Sequence, residues 1–148
     1  MDKDVLTGLV VAVVVPSVLL VQRVLRQRAQ EIVSNDPMTP LGFERHCAAI
    51  LKQQGWRAGL TAGSGDQGVD VLARKGHVSV VIQCKLYSKP VGNAAVQEAY
   101  AGKGFMGATH AAVVSNQPYT RSAVELAGRN RVLLLSADDL RRANALFR

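Results

Sequence analysis

The pattern of hydrophobic residues divides the chain into two regions that meet near residue 37. Residues 5–21, VLTGLVVAVVVPSVLLV, form a continuous apolar run without a charge, whereas later hydrophobic residues recur in short periodic groups. The run is at the short end of the roughly 20 residues that span a bilayer core. Because it is apolar on all sides, it predicts a transmembrane helix, since a buried soluble helix would be amphipathic.

A cleaved signal peptide is the other alternative for this region, and the sequence lacks both of its markers. The chain begins with the net-negative sequence MDKD, and no A-x-A cleavage site follows the apolar run. Three arginines between residues 23 and 28 come directly after the run, and the positive-inside rule places this end in the cytoplasm. We therefore expect a single-pass membrane protein in which residues 1–36 are the anchor and stalk.

Residues 37–148 show the periodicities of alternating helices and strands. Thr39 is a suitable N-cap with Pro40 at the first helical position, and apolar residues then recur at helical spacing until Gly55. Two apolar runs separated by Lys75-Gly76 predict a β-hairpin. In chain order, the predicted elements are a helix at 39–54, strands at 56–61, 69–74 and 78–86, a helix at 91–105, a strand at 110–115, a helix at 120–129, a strand at 132–135 and a last helix opened by a capping box at 136–139.

This order of elements predicts that residues 37–148 form a single α/β domain, an α/β/α sandwich around a central mixed sheet. The alternation in the second half implies helices on the faces of the sheet, and the early hairpin supplies an antiparallel part. The two cysteines, Cys47 and Cys84, lie in apolar runs without a C-x-x-C motif. They are expected to be free, buried thiols in a reducing compartment.

The net charge of +7 belongs entirely to the second region. Basic and acidic residues balance in residues 1–36, whereas residues 37–148 contain 14 Lys and Arg against 7 Asp and Glu. A compact basic domain suits a polyanion such as DNA, because Lys and Arg neutralise phosphates and release counterions. A solvated basic surface that aids solubility explains the charge alone equally well.

The loop at residues 63–68, GSGDQG, matches the dinucleotide-binding pattern G-x-G-x-x-G but lacks its context. That fingerprint follows a strand and opens a helix, so that the pyrophosphate meets the helix N-terminus. Here the loop leads into an apolar strand, and no Gly-Lys-Ser/Thr follows that would make it a phosphate-binding P-loop. The glycines are therefore expected to bend the backbone and present Asp66 and Asp70. For Asp66 we favour a role in holding the loop over a role as a ligand.

Candidate chemistry lies at one end of the predicted hairpin. Asp70 is near the start of its first strand, and Gln83 and Lys85 are near the end of its second. Antiparallel pairing brings these ends together, and residues 83 and 85 share one face because side chains alternate with a period of two. The oxygens of Asp70 and Gln83 suit a hard cation such as Mg²⁺, with Lys85 as a neighbouring positive charge for a phosphate or a water. Such a group is equipped for metal-assisted phosphodiester hydrolysis.

The stretch from residue 65 to 70, GDQGVD, followed by Gln83-Cys84-Lys85, resembles the catalytic domain of the Mrr-type restriction endonucleases, in the PD-(D/E)xK nuclease superfamily. The similarity runs from residue 38 to about residue 135, and its further parts are Thr39-Pro40, Phe43-Glu44, Gly55-Trp56 and Val96-Gln97-Glu98. The resemblance implies that Asp70 binds the metal and that Lys85 orients or activates the attacking water. It also implies that Glu44 completes the metal site. Gln83 stands where the superfamily usually has an acidic residue, a replacement typical of the Mrr branch.

The resemblance implies a DNA endonuclease that requires Mg²⁺ or Mn²⁺, here anchored to the membrane with its catalytic domain in the cytoplasm. Cleavage of both strands needs two active sites, which is compatible with a homodimer. A catalytically silent, membrane-tethered DNA-binding module is the main alternative, because Asp70 is the only firm acidic ligand. A structural membrane protein that contacts only other proteins is a further alternative. Taken singly, Asp70 could cap a turn, Lys85 could be a solvated strand end, and Glu44 could be an ordinary exposed helix residue.

Overall fold

A computed structural model of the chain describes residues 16–18, 20–23, 39–61 and 68–148. Contacts divide the chain into two units, Met1–Asp36 and Pro37–Arg148, and each is considered by itself. In the first unit, residues 16–18 and 20–23 are helical and exposed. Within the described ranges, no helix has the length and apolar character needed to cross a membrane. The predicted transmembrane helix and its stalk lie mostly outside the described residues, so they stay a prediction.

The second unit alternates helices and strands in the predicted order. Helix α1 is Pro40–Gln53, and it is followed by strands β1 (Arg57–Leu60), β2 (Val71–Lys75) and β3 (Val78–Lys85). Helix α2 (Asn93–Met106), strand β4 (His110–Ser115), helix α3 (Arg121–Asn130) and strand β5 (Val132–Leu135) come next. The described chain ends with a 3₁₀ turn at Asp138–Arg142 and a short helix α4 at Ala143–Leu146.

The described strands form one mixed sheet in the order β1-β2-β3-β4-β5. Strand β2 pairs antiparallel with both β1 and β3, and the hairpin register matches Val71 with Ile82. Strands β3, β4 and β5 are parallel, and helices α2 and α3 make the crossovers that parallel neighbours require. The mixed sheet predicted from the alternation is therefore confirmed.

Two hydrophobic layers lie on opposite faces of this sheet. Buried residues of α1, including Phe43 and Leu51, pack on one face together with Leu140 and Phe147 from the C-terminal segment. Small and β-branched residues of α2 and α3 pack on the other face, against Val81 and other strand residues. Burial of both faces explains the nearly continuous apolar sequence of β3 and β4. The result is the predicted α/β/α sandwich.

Local sequence signals explain how the helices begin. Thr39 caps α1 by accepting a hydrogen bond from the backbone N–H of Gly42 at 3.0 Å, and Thr120 caps α3 by accepting one from the N–H of Ala123 at 3.2 Å. The predicted capping box is also present, because the N–H of Ser136 donates to Asp139 at 2.9 Å and the N–H of Asp139 donates back to Ser136 at 3.3 Å. The segment that follows differs from the prediction, since a 3₁₀ turn precedes the short α4.

The two cysteines are free and buried, as the sequence predicted. Cys84 on β3 faces Cys47 on α1 within the same apolar layer. A hydrogen bond with Cys47, together with burial, raises the pKa of the Cys84 thiol well above its usual value. Both groups therefore behave as small hydrophobic side chains in the core.

Candidate active site

Asp70 and Gln83 lie opposite each other where the β2–β3 hairpin opens toward the glycine loop. The backbone N–H of Asp70 donates to the carbonyl of Ile82 at 3.0 Å, which extends the hairpin pairing by one residue before β2. The N–H of Thr61 donates to the carbonyl of Asp70, also at 3.0 Å. Asp70 is therefore fixed by its backbone on both sides, and the predicted convergence of the strand ends is present.

The Asp70 carboxylate is held by two donors from β3. Its Oδ2 atom accepts a hydrogen bond from Nε2 of Gln83 at 2.7 Å and another from the backbone N–H of Cys84 at 2.6 Å. Burial raises the pKa of Asp70 above its usual value, and the negative charge of Glu98 acts in the same direction. The hydrogen bond from Cys84 and the positive charge of Lys85 oppose this rise without cancelling it. The protein thus orients the carboxylate, but the nearby positive charge does not offset the cost of burying it.

Lys85 forms an ion pair with Glu98 of helix α2. The distance from its Nζ to Oε2 of Glu98 is 2.6 Å, and the two side chains are 15% and 41% exposed. Burial alone would lower the pKa of Lys85, but the hydrogen bond and charge of Glu98 outweigh burial and raise it above the usual value. The ring centroid of Tyr87 lies 5.9 Å from the same Nζ. Lys85 is therefore a protonated lysine at the edge of the site.

Glu44 reaches the site from the opposite layer, on helix α1. Its side chain is partly buried, and burial raises its pKa above the usual value. The charge of Asp70 raises that pKa further, which means that the two carboxylates are close enough to repel each other. The four residues selected from the sequence, Glu44, Asp70, Gln83 and Lys85, thus lie in one electrostatic neighbourhood at the end of β3.

The oxygens of this group fit a hard divalent cation. Gln83 is 5% exposed, and its Oε1 atom is buried without a hydrogen-bond partner among the described residues. An unpaired amide oxygen beside the carboxylates of Asp70 and Glu44 offers the type of ligand that Mg²⁺ and Mn²⁺ accept. Within the part of the chain that the structure describes, however, no group of three or more His, Cys, Asp or Glu side chains could hold a metal ion. The donor set is therefore two carboxylates and an amide.

Gly68, the last glycine of the loop, brings the two halves of the site together. Its φ is +78°, and a Cβ atom at this position would lie 2.9 Å from Cβ of Glu98 and 3.1 Å from Oε1 of Gln83. Only glycine allows this approach without displacing either side chain. Residues 62–67 of the loop, which include Asp66, lie outside the described residues.

The backbone that follows Lys85 is fixed by the end of β4. The hydroxyl of Ser115 donates to the carbonyl of Lys85 at 2.8 Å. The Asn116 side chain accepts from the N–H of Tyr87 at 2.8 Å and donates to the carbonyl of Tyr87 at 2.9 Å. These contacts use side chains to extend the parallel pairing of β3 and β4, and they fix the backbone at Lys85 and Tyr87.

The sequence prediction missed the contact between Glu98 and Lys85. Glu98 was noted only as part of the segment VQE, without a role of its own. Its position contained a signal, because Glu98 comes three residues after Ala95 and four before Gly102, both of which are buried on α2. A half-buried carboxylate beside the buried stripe of a helix favours a partner of opposite charge. The sequence does not identify that partner, because Lys85 lies on a different element.

Comparison with known proteins identifies the family and the fold of this chain. The restriction endonuclease family described by the Mrr catalytic domain matches residues 35–143, which is more than half of the chain. No curated protein matches the chain in sequence. Among solved structures, the fold is similar to that of the MspJI restriction endonuclease in complex with a 27-mer oligonucleotide, with a TM-score of 0.52 and 20% identity over 76% of this chain and 29% of that one.

Two further solved structures have the same fold. The DNA modification-dependent restriction endonuclease AspBHI gives a TM-score of 0.51 and 24% identity over 84% of this chain and 35% of that one. The protein VC1899 from Vibrio cholerae gives a TM-score of 0.53 and 16% identity over 71% of this chain and 32% of that one. The chain thus spans about a third of the length of each of these three proteins.

Proposed function

From its membership of the Mrr-type restriction endonuclease family, shown by the match over residues 35–143, we propose that this chain is a divalent-metal-dependent DNA endonuclease anchored to a membrane. The observation that carries the proposal is the pair of hydrogen bonds by which β3 orients the Asp70 carboxylate. The Asp70 carboxylate is oriented by Gln83 and Cys84 and lies within the charge field of Lys85. An acid, an amide oxygen and an ammonium at one point are the groups that metal-assisted phosphodiester hydrolysis uses.

Asp70, Gln83 and Glu44 would hold the cation, Mg²⁺ or Mn²⁺. When bound, the cation would neutralise phosphate charge and lower the pKa of a water molecule. Asp70 and Glu44 would supply its negative ligands. The two carboxylates repel each other, and a bound cation would relieve that repulsion. The unpaired Oε1 of Gln83 supplies a neutral oxygen.

Lys85 would act on the substrate rather than on the cation. Its ammonium has three donors, of which the ion pair with Glu98 can engage one. The others can hold the attacking water or donate to a phosphate oxygen, where negative charge develops as water adds to phosphorus and a P–O ester bond breaks. The hydroxyl of Ser115 donates to the backbone carbonyl of Lys85 and so fixes the base of this side chain.

DNA is the proposed substrate because of the family and the charge of the domain. Residues 37–148 account for the whole net charge of +7. Binding to the phosphate backbone through these charges would weaken steeply as salt is raised. The oligonucleotide in the MspJI structure supports DNA as the partner of this fold.

The test is cleavage of supercoiled plasmid by the full-length protein in detergent, with Mg²⁺ or Mn²⁺ and after chelation with EDTA. We expect metal-dependent nicking that Asp70→Ala and Lys85→Ala each reduce by about a hundredfold or more. The control is Glu125→Ala, which removes an exposed carboxylate outside the site and should cut like the wild type. Equal cutting by the wild type and Asp70→Ala would disprove the proposed site.

A catalytically silent DNA-binding module is the second candidate. Gln83 occupies the position that is usually acidic, and no group of three metal-binding acids is found in the described ranges. This candidate predicts no cutting with any divalent cation. It also predicts the same shift of DNA in a binding assay for the wild type, Asp70→Ala and Lys85→Ala.

Membrane anchoring and dimerisation complete the proposal. The uncharged run at residues 5–21 and the arginines after it support a single-pass anchor with the nuclease domain in the cytoplasm. Cell fractionation should find the full chain in the membrane pellet after a carbonate wash, and release into the supernatant would contradict the anchor. A homodimer would bring two sites together for double-strand cleavage. Analytical ultracentrifugation that finds only monomer would exclude it.

A further inference from the structure

We infer that Glu98 is a positioning residue that holds Lys85 away from Asp70 and so keeps the Asp70 carboxylate open to a divalent cation. The inference rests on the proposed function, since it concerns the same site. Lys85 follows Gln83 on β3 with one residue between them, and Asp70 lies opposite Gln83. A lysine in this position can form an ion pair with either nearby carboxylate, Asp70 or Glu98.

Three contacts decide which carboxylate pairs with Lys85. Oδ2 of Asp70 already accepts from Gln83 at 2.7 Å and from the Cys84 backbone at 2.6 Å. Glu98, from the helix on the other side, lies 2.6 Å from the ammonium of Lys85. A lysine side chain that is only 15% exposed needs such a partner, because an unpaired charge away from water is costly. Glu98 meets this need without occupying Asp70.

Helix α2 and the loop fix Glu98 in this position. Glu98 lies in the second turn of α2 between the buried residues Ala95 and Gly102. Gly68 packs against its side-chain stem, and there is no room for a Cβ atom between them. The carboxylate therefore reaches Lys85 from a side chain whose base is immobilised, which is the arrangement expected of a positioning group.

The charge balance of the site follows from this pairing. Glu98 and Lys85 neutralise each other, which leaves the two negative charges of Glu44 and Asp70 for a divalent cation. Without Glu98, Lys85 would be an unpaired positive charge close enough to Asp70 to attract its carboxylate, since the charge of Lys85 already lowers the pKa of Asp70. Lys85 would then compete with the cation for the same carboxylate.

The experiment measures binding of Mn²⁺ alone to the full-length protein in detergent by isothermal calorimetry. The set comprises the wild type, Glu98→Gln, Lys85→Met and the double variant. We expect Glu98→Gln to weaken Mn²⁺ binding by about five- to tenfold, the effect of one competing ion pair. The double variant restores the local charge of the wild type and should regain binding close to that of the wild type. Glu125→Gln removes a carboxylate from an exposed helical ion pair with Arg121 and serves as the matched control.

The outcomes separate the pairing from its alternatives. If the double variant binds Mn²⁺ as weakly as Glu98→Gln, then Glu98 acts on the cation directly and the inference is wrong. Unchanged binding by Glu98→Gln, or no Mn²⁺ binding by the wild type, would also overturn it. Thermal unfolding of each variant checks folding, and the charge-neutral double variant provides a second measurement if Glu98→Gln alone does not fold.

Plasmid cutting distinguishes this inference from the proposed nuclease activity. The double variant should bind Mn²⁺ like the wild type but should not cut, because it lacks the Lys85 ammonium. Glu98→Gln should lower kcat and need more Mn²⁺ for half-maximal cutting, while its affinity for DNA stays unchanged. If the wild type binds Mn²⁺ and the binding series behaves as expected but nothing cuts DNA, the nuclease proposal fails and the pairing stands.

Discussion

Replacing Gly68 with alanine tests whether this glycine is needed because two side chains of the site occupy the space beside it. A Cβ atom would lie 2.9 Å from Cβ of Glu98 and 3.1 Å from Oε1 of Gln83. Cβ contacts under 3.0 Å essentially never occur, so something has to shift. Because Cβ of Glu98 is fixed by a packed helix, we expect Gly68→Ala to push the loop and the two side chains apart and so to disturb the site around Lys85.

The magnitude has two parts that the structure separates. The φ of +78° is in the left-handed region, where alanine costs about 1–2 kcal/mol relative to glycine. The close approach to Glu98 and Gln83 adds an overpacking term of about 1–3 kcal/mol. The sum, about 2–5 kcal/mol, compares with the 5–15 kcal/mol that is typical for the stability of a domain. Gly68→Ala should therefore fold but be clearly weakened.

Gly76, in the β2–β3 turn, provides the matched control. Its φ is +58°, and a Cβ atom there would meet nothing within 4 Å. Gly76→Ala thus carries the backbone term without the steric one. We would measure urea unfolding and Mg²⁺-dependent plasmid nicking for both variants at a temperature where both are folded. Gly68→Ala should be less stable than Gly76→Ala by about 1–3 kcal/mol and should lose far more of the nicking rate.

The reasoning is refuted by similar behaviour of the two variants. Equal unfolding free energies would mean that Glu98 and Gln83 adjust without cost. A larger loss of stability with normal nicking by the folded fraction would mean that displacement of these side chains does not matter for cutting. Either result would remove Gly68 from the account of the site.

Two further predictions concern stability. Tyr119→Phe removes a hydroxyl that lies 2.9 Å from the carbonyl of Val113 and 2.7 Å from that of Leu135, on neighbouring strands, and should cost about 1–2 kcal/mol in urea unfolding; an unchanged urea midpoint would contradict this. Asp139→Ala removes the carboxylate that accepts from Ser136, whose backbone and side-chain hydrogen bonds lower the pKa of Asp139, and should cost about 1 kcal/mol at neutral pH. A lowered carboxyl pKa stabilises the fold at pH values above the ordinary pKa of 3.8, and that stability is lost as pH falls through the lowered pKa. The difference in unfolding free energy between Asp139→Ala and the wild type should therefore disappear in acid. A difference that does not change with pH would contradict the reasoning.

Local signals made most of the fold predictable from the sequence. The Lys75-Gly76 turn fixed the hairpin, and with it the approach of Asp70 to Gln83, because turn chemistry and a period of two are readable within a short stretch. Thr39 and Thr120 mark helix starts for a similar reason, since a hydroxyl at the N-cap needs only a partner three residues away. The predicted strands at 110–115 and 132–135 agree with β4 and β5.

The parts that were not predictable depend on contacts between distant segments or on ambiguous spacing. The last predicted helix begins at the capping box of residues 136–139, and the apolar residues after it, Leu140, Ala143 and Leu146, repeat every third residue. This spacing fits a 3₁₀ turn as well as an α-helix, and the structure has a 3₁₀ turn before α4. The pairing of Lys85 with Glu98 joins a strand to the next helix, and neither residue alone indicates which charge it meets.

The replacement of an acid by Gln83 changes what the rest of the site has to supply. An acid at this position would place a second negative charge at hydrogen-bonding distance from Asp70, whose pKa burial already raises. The amide instead donates to Asp70 with its nitrogen and keeps its oxygen unpaired. A negative charge is then missing beside Asp70, and Glu44 from α1, whose pKa the charge of Asp70 raises, is a carboxylate that can supply it. Because Glu98 neutralises Lys85, that charge stays with the two acids, and the site depends on both helical layers as well as on the hairpin.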